Sequence, residues 1–498
     1  MRVHELAVVT AGGDWPRERQ LAWLLAELAV ARPRIDPAVA ALVVDRIIDN
    51  AAVSLAALER APVRAARDQA LAHRRPGGAS VMGMPDAVRC HCEWAAIANA
   101  AAVRELDFHD NVFDREMGHP GDMIPAIVAV CQQAGRSGDD LAHGIVTAYE
   151  VHIGLCKAVE LHAHGFDHTG HLAPAIAAGL ATALGLDREV AYQAIQQALH
   201  TGYTPGQTRK GHISTWKSYA PAHASLVAIN AVDRAMRGQD SPTPAFEGEQ
   251  GLLAALAGPG ATLAIALADP GEPRRLALES FTKQHSCGYH GQAAIDLAFR
   301  LRRRIPDTGA IRSIVYHTKR RTHVAMGSGT GDPHKYDPHA SRETLDHSLM
   351  YVMAVALQDG EWHHVRSYLP ERARRADTVA LWRKISTAED PEWNRRYVNR
   401  QGLERDHGGR AVVTLESGEV ITEELAVPDA HPRGARPMDR PGYVAKLDVL
   451  TEGVVTQEEK ARFLAAVQQL PGLPAGRLPE LNLVAFPPPA QEAGNGIY

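Results

Sequence analysis

CEWAAIANAAAVRELDF, residues 92–108, decides the architecture of this 498-residue chain. Alanine is the best helix former, and no glycine or proline interrupts the run. Its side chains are too apolar for a solvated surface, so it predicts a helix buried on all sides. That helix delivers Asp107 and Asp110 at its C-terminal end.

The same texture extends on both sides. From residue 16 to about 270 the chain reads as helix after helix, as in RERQLAWLLAELAVARP, PAVAALVVDRIIDNAAVSLAAL and DREVAYQAIQQALHTG. Apolar residues recur every three or four positions, and Asp36 before Pro37 is a helix-start signal. Aromatic content of 5% and the abundance of alanine also favour helices over sheets. After Pro270 the pattern changes. IRSIVYHT (311–318) and AVVTLESGEVITEEL (411–425) read as strands, the second with a Ser-Gly turn in its middle. Between them lie the polar run GSGTGDPHKYDPHASRETLDHS and the helix SLMYVMAVALQ. The expectation is a mainly α protein: a large all-helical domain over 1–270, a smaller α+β domain over 271–410, and a segment 411–498 returning to the helical domain. The strand pair stands at the junction of the last two. The helix TQEEKARFLAAVQQL makes the return, and the tail LVAFPPPAQEAGNGIY reads as extended.

Composition narrows the function. A net charge of −5 gives no reason to expect nucleic acid or an anionic membrane as a partner. Five cysteines are few and odd in number, which fits a reducing compartment. The first residues form no cleavable apolar leader. No run of about 18 apolar residues occurs. The expected location is the cytoplasm.

Five segments gather chemistry-bearing side chains. ELDFHDNVFDREMGHPGD (105–122) holds Asp107, Asp110, Asn111 and His119, the last in a His-Pro-Gly turn that can present an imidazole. GFDHTGH (165–171) holds Asp167 and His168 between glycines. TRKGHISTWKSYAPAHAS (208–225) places Ser214, Lys217 and Tyr219 at a helix start, a natural receptor for a carboxylate. FTKQHSCGYHGQAAIDLA (281–298) carries Lys283, Cys287 and Gln292; nothing local lowers the thiol pKa, so Cys287 reads as structural. RTHVAMGSGTGDPHKYDP (321–338) is not a phosphate loop, lacking both the Gly-Lys-Ser/Thr ending and a leading strand. It reads as a flexible segment suited to closing over an anion. Taken singly, each cluster reads equally well as a solvated loop or helix end. There is no Cys-x-x-Cys pair for an iron–sulfur cluster, and the carboxylate and histidine spacings match no metal motif. No nucleophile elbow is present.

LDFHD…GHPGD, GFDHT, ISTWKSYAPAHAS and the Lys283 to Gln292 stretch together resemble the MmgE/PrpD family. RETLDHSLMY and the tryptophan-histidine run at 362–364 resemble its 2-methylcitrate dehydratase branch most. The resemblance implies a large helical domain made from both chain ends, an inserted α+β lid, and a homodimer. It implies dehydration of a 2-methylcitrate-type tricarboxylate to its cis-aconitate, as in propionate catabolism, with neither metal nor organic cofactor. Matched residue by residue, it implies Asp107, His119, Lys217 and Lys283 as catalytic groups, with His168 beside them. Asp110, Asn111, Asp167, Ser214, Tyr219 and Gln292 are then expected around the substrate. The related decarboxylases carry Thr at the place of Asn111, His at that of Asp167, and a His near Gln292. Those departures point away from decarboxylation. Decarboxylation or epimerisation of a related acid, and a non-catalytic scaffold, are the alternatives.

Overall fold

The computed structural model describes residues 1–498 except 11, 12, 14, 211, 212, 492–495 and 498. The expected extended tail therefore lies partly outside the described residues. Two separate hydrophobic cores define two bodies. One core draws on residues from Leu6 to Ala277 and again from Tyr443 to Ala485. The other lies wholly between Cys287 and Ile421. The helical body is thus built from both ends of the chain, with the smaller one inserted.

In the helical body, the expected helix forms as Cys92–Glu105 and is buried along almost its whole length. It packs on helices Trp216–Met236, Ile124–Gln133 and Ala61–Leu71. The starts follow local chemistry. Asp36 accepts from the Ala38 amide ahead of helix Pro37–Ala56, and Ser137 and Asp140 form a reciprocal capping box ahead of Gly138–Ala158. Gly144 and Gly179 let helices Gly138–Ala158 and Leu172–Leu184 meet backbone to backbone. A Cβ on Gly179 would stand 2.7 Å from the Gly144 carbonyl oxygen. The helical run is broken by short strand pairs: Arg74–Ser80 pairs with Arg89–Cys90, and Val112–Phe113 with Met117–Gly118. Thr262–Leu267 pairs antiparallel with Arg2–Ala7, joining residue 267 to residue 2. Its alternating small and apolar residues suit a ribbon lying on helix Gly138–Ala158.

The smaller body is a four-stranded sheet with helices Gln292–Arg304 and Leu349–Asp359 packed against it. Ile311–Thr318 is central. It runs parallel to Ile385–Glu389 and antiparallel to Gly409–Leu415, with Val420–Leu425 at the edge. The strand pair therefore belongs to the lid, and 411 is too early a point for the return. Ile314 lies opposite both Ile385 and Val413, and all three are buried, so this register closes the lid core. The return comes later, through Arg440–Leu450 on helix Pro37–Ala56 and then Gln457–Gln468. Among the described residues no helix is long and apolar enough to cross a membrane.

Candidate active site

Helix Cys92–Glu105 stops at Leu106, and Asp107 follows with φ of 50°. A left-handed conformation is strained for a residue with a side chain and needs support from its surroundings. Asp107 has that support. Lys283 donates to its backbone oxygen at 2.9 Å and also to Oδ1. Arg104 Nη1 donates to Oδ1 at 2.8 Å, and Lys217 Nζ stands 3.1 Å from Oδ2. One aspartate thus joins the buried helix, the start of helix Trp216–Met236 and the loop leading into the lid.

A second carboxylate comes from the lid itself. Asp346 follows the short helix Arg342–Leu345, which Ser341 caps. Its oxygens accept from Lys217 Nζ at 3.0 and 2.9 Å and from Arg342 at 3.0 Å. His347 Nδ1 hydrogen-bonds Asp346 Oδ1, while its Nε2 lies 3.6 Å from Asp107 Oδ2. In direct contact, four cations (Arg104, Lys217, Lys283, Arg342) meet two carboxylates. A lysine in a first helical turn opposes the helix dipole. Asp107 and Asp346 offset that cost for Lys217.

Electrostatics follow from burial and this charge imbalance. Arg104, Lys217 and Lys283 hold the Asp107 carboxyl well below the ordinary carboxylate range against its burial. Asp346 is held low by Lys217 and His347. Burial lowers Lys283 to about 8 even with Asp107 beside it. Burial also holds His119 well below its usual value, and Arg104 and Lys283 add to the effect. His119 Nδ1 faces the Asp110 carbonyl oxygen at 2.8 Å. A carbonyl only accepts, so Nδ1 carries the hydrogen and Nε2 the lone pair. The His119 ring is 5.3 Å from that of His168. Burial lowers His168 to about 3. Asp107, His119, Lys217, Lys283 and His168 therefore form one buried constellation.

The remaining expected residues divide. Asp167 is buried beside His168 and accepts from Arg209 Nε at 2.9 Å and from the Thr169 amide. Both terminal guanidine nitrogens of Arg209 are buried with no hydrogen-bond partner among the described residues. Asp110 is used up locally by the Gly121 amide, Tyr149 and Arg46. A Cβ on residue 121 would stand 2.6 Å from Asp110 Oδ1, so glycine permits that closure. Asn111 exchanges two backbone hydrogen bonds with Phe281, and its Oδ1 has no partner among the described residues. Gln292 clamps the 284–287 backbone, accepting from two amides and donating to two carbonyls. Ser214 is exposed, and Tyr219 donates to Pro62 O at 2.9 Å. Those two line a separate surface cavity of about 820 Å³ with Trp94 and Trp216. The structure does not bring their side chains to the Asp107 cluster. Cys287 is buried, and burial pushes its thiol up, as a structural cysteine requires.

Asp107, Asp346 and His347 are close enough together to be tested as a cation site. Lys217 Nζ already lies within 3.1 Å of both carboxylates, and Lys283 and Arg104 face Asp107. A divalent ion there would stand among ammonium and guanidinium groups, so the charge pattern suits an anion instead. His162, Asp167 and His168 form a second such trio, but Arg209 occupies Asp167 and Glu116 engages His162.

The MmgE/PrpD N-terminal domain model matches residues 19–263, and the MmgE/PrpD C-terminal domain model matches 285–471. The chain belongs to the MmgE/PrpD family. The two matches part between 264 and 284, where the helical body gives way to the lid. The chain is similar to the mitochondrial 2-methylcitrate dehydratase of Yarrowia lipolytica, at 26% identity over 74% of this chain and 71% of that one. It is 25% identical to an alkylcitrate dehydratase of Talaromyces stipitatus, over 67% and 69% of the two chains. It is 26% identical to 2-methylcitrate dehydratase of Salmonella typhimurium, over 61% of this chain and 64% of the relative.

In this MmgE/PrpD chain, four groups that touch the centre escaped residue-level reading: Arg104, Arg342, Asp346 and His347. Arg104 had a signal, being the one basic residue in the alanine-rich helix; a buried cation demands a partner. The other three sit in RETLDHS, where no local spacing marks them as partners of Lys217. That segment is not a loose loop. Ser328–Thr330, Pro333–Tyr336 and Arg342–Leu345 are short helical turns that aim Asp346 and His347 inward. A cleft of about 1040 Å³ adjoins the cluster, with Phe108, Gln284, Trp362 and Lys446 in its wall. Phe108 and Gln284 directly follow Asp107 and Lys283 in the chain.

Proposed function

We propose that this chain is a hydro-lyase that dehydrates 2-methylcitrate to 2-methyl-cis-aconitate. The carrying observation is the buried set Arg104, Lys217, Lys283 and Arg342, held by two carboxylates and flanked by neutral imidazoles. The α-proton of a carboxylate is weakly acidic, because the developing carbanion lies beside an existing negative charge. Fixed cationic donors in a water-poor site supply the missing stabilisation. Lys217, Lys283 and Arg104 are the groups for this. Asp107 organises those cations and is too tightly held to be an effective base. His119 offers a neutral Nε2 lone pair to a substrate hydroxyl. The names of the relatives support the same substrate class, and Asn111 and Asp167 favour dehydration over decarboxylation. We further propose a cytoplasmic homodimer that works without metal.

The test is one assay. Purified protein is incubated with 2-methylcitrate, citrate and cis-aconitate in the presence of a chelator, while absorbance of the conjugated alkene and CO2 release are followed. Alkene growth from 2-methylcitrate is the expected result. CO2 from cis-aconitate would make the chain a decarboxylase. Silence with all three acids would leave a scaffold, and activity lost to the chelator would overturn the metal-free reading. Sedimentation at micromolar concentration tests the dimer.

A further inference from the structure

We infer that His347 is the general base of this site and that Asp346 is its positioning residue. The inference rests on the dehydratase reading and adds a role that the resemblance did not carry.

Three observations support it. First, the ring is oriented. Asp346 Oδ1 accepts from Nδ1, and a carboxylate that contacts Lys217 and Arg342 is ionised and can only accept. The lone pair therefore lies on Nε2, on the side of Asp107. Second, a proton taken up by Nε2 is stabilised through the carboxylate behind Nδ1, the arrangement by which an aspartate supports a catalytic histidine. His119 lacks this. Its Nδ1 partner is a neutral carbonyl, and Arg104 and Lys283 face it, so a second proton there adds to a cationic surrounding. Third, His347 is accessible. Its side chain is 19% exposed, whereas those of Asp107, Lys217 and Lys283 are at most 3% exposed. It is the most exposed member of the cluster. Burial, with Lys217 Nζ 3.4 Å from Nδ1 adding to it, lowers the ring to about 4, so it rests neutral with its lone pair free.

The protons balance over one turnover. The Cα–H bond breaks and its proton passes to His347 Nε2. The electron pair becomes the new C=C bond as the Cβ–O bond breaks with its pair on oxygen. That oxygen takes a proton from Lys283 Nζ and leaves as water. Asp107 bridges the two, with Oδ1 on Lys283 and Oδ2 facing His347. Once the product leaves, water takes the proton from His347 and returns one to the Lys283 amine, which resets both groups.

The test uses the full chain with 2-methylcitrate. His347→Ala and His347→Gln should each lower kcat by about 10²–10⁴-fold, the usual contribution of a positioned base. KM should change little. Added imidazole should restore part of the turnover of His347→Ala, and no such rescue should occur in Asp346→Asn, whose ring is still in place. The wild-type protein should exchange the substrate α-proton for deuterium in D2O, and His347→Gln should not. Circular dichroism confirms that the variants fold. If a variant fails to fold, loss of exchange in the other decides. An active wild-type protein with His347→Ala within about threefold of it overturns this inference and leaves the dehydratase reading standing. A wild-type protein inactive on all three acids sinks both.

Discussion

Replacing Asp107 with Asn removes one charge and almost no volume. Arg104 and Lys283 then lose the carboxylate they contact, and Lys217 keeps only Asp346. Deleting one partner of a buried ion pair typically costs about 3–5 kcal/mol, since the remaining charge stays desolvated. At roughly 2 cal/mol/K of unfolding entropy per residue, each kcal/mol lowers the midpoint of a chain this long by roughly 1 °C, so a drop of about 3–5 °C is expected. The loss should not be additive with Lys283→Met. The double variant should recover about 1–3 kcal/mol relative to the sum, because no orphaned ammonium is left at that position. Activity falls for a related reason. Lys283 is already lowered to about 8 with Asp107 raising it. Without that carboxylate its pKa falls further and the acid form is depleted at pH 7.5. Turnover should fall at least about 100-fold. Thermal melts and a pH–rate profile of wild type and variant measure both effects. An unchanged midpoint together with near-normal turnover would refute the view that Asp107 holds the cation cluster together.

Three other outcomes follow from the fold. Glu247 accepts from the Leu21 amide at 2.6 Å, and burial raises its carboxyl from 4.5 to about 7. A folded pKa above the unfolded one stabilises the protein at low pH, and that stability is lost as pH rises from about 4.5 through 7. Glu247→Gln should therefore match wild type near pH 4.5 and exceed it at pH 8 by at most about 3 kcal/mol, read from paired melts. Gly179→Val should lower stability by about 1–3 kcal/mol or more, because its Cβ meets a fixed carbonyl of the neighbouring helix. Lys446 donates to Phe108 O at 2.6 Å and Lys283 O at 3.0 Å and stands 2.7 Å from Asp49. Lys446→Met should loosen both catalytic loops and lower kcat about 10-fold or more, while chelator and salt leave the effect unchanged.

Much of this protein is legible from its residues in order. Period and composition find helix Cys92–Glu105, the lid strand Ile311–Thr318, the hairpin around Ser417 and Gly418, and the returning helix Gln457–Gln468. These depend on neighbours three or four positions apart on a helix, or two apart on a strand, so local sequence contains the information. The family resemblance adds Asp107, His119, Lys217 and Lys283, because motif spacing survives in the chain. Pairing across the molecule is different in kind. That Gly409–Leu415 joins Ile311–Thr318, and so moves the lid boundary, depends on partners about a hundred residues apart. That Tyr219 turns to Pro62 while Lys217, two positions earlier, meets Asp107 and Asp346 depends on which side of one helix meets the core. That Asp346 meets Lys217 and positions His347 depends on the lid docking against the helical body, 129 residues away along the chain. Charges buried at a domain junction are chosen for one another in space, and only the tertiary structure brings them within contact distance.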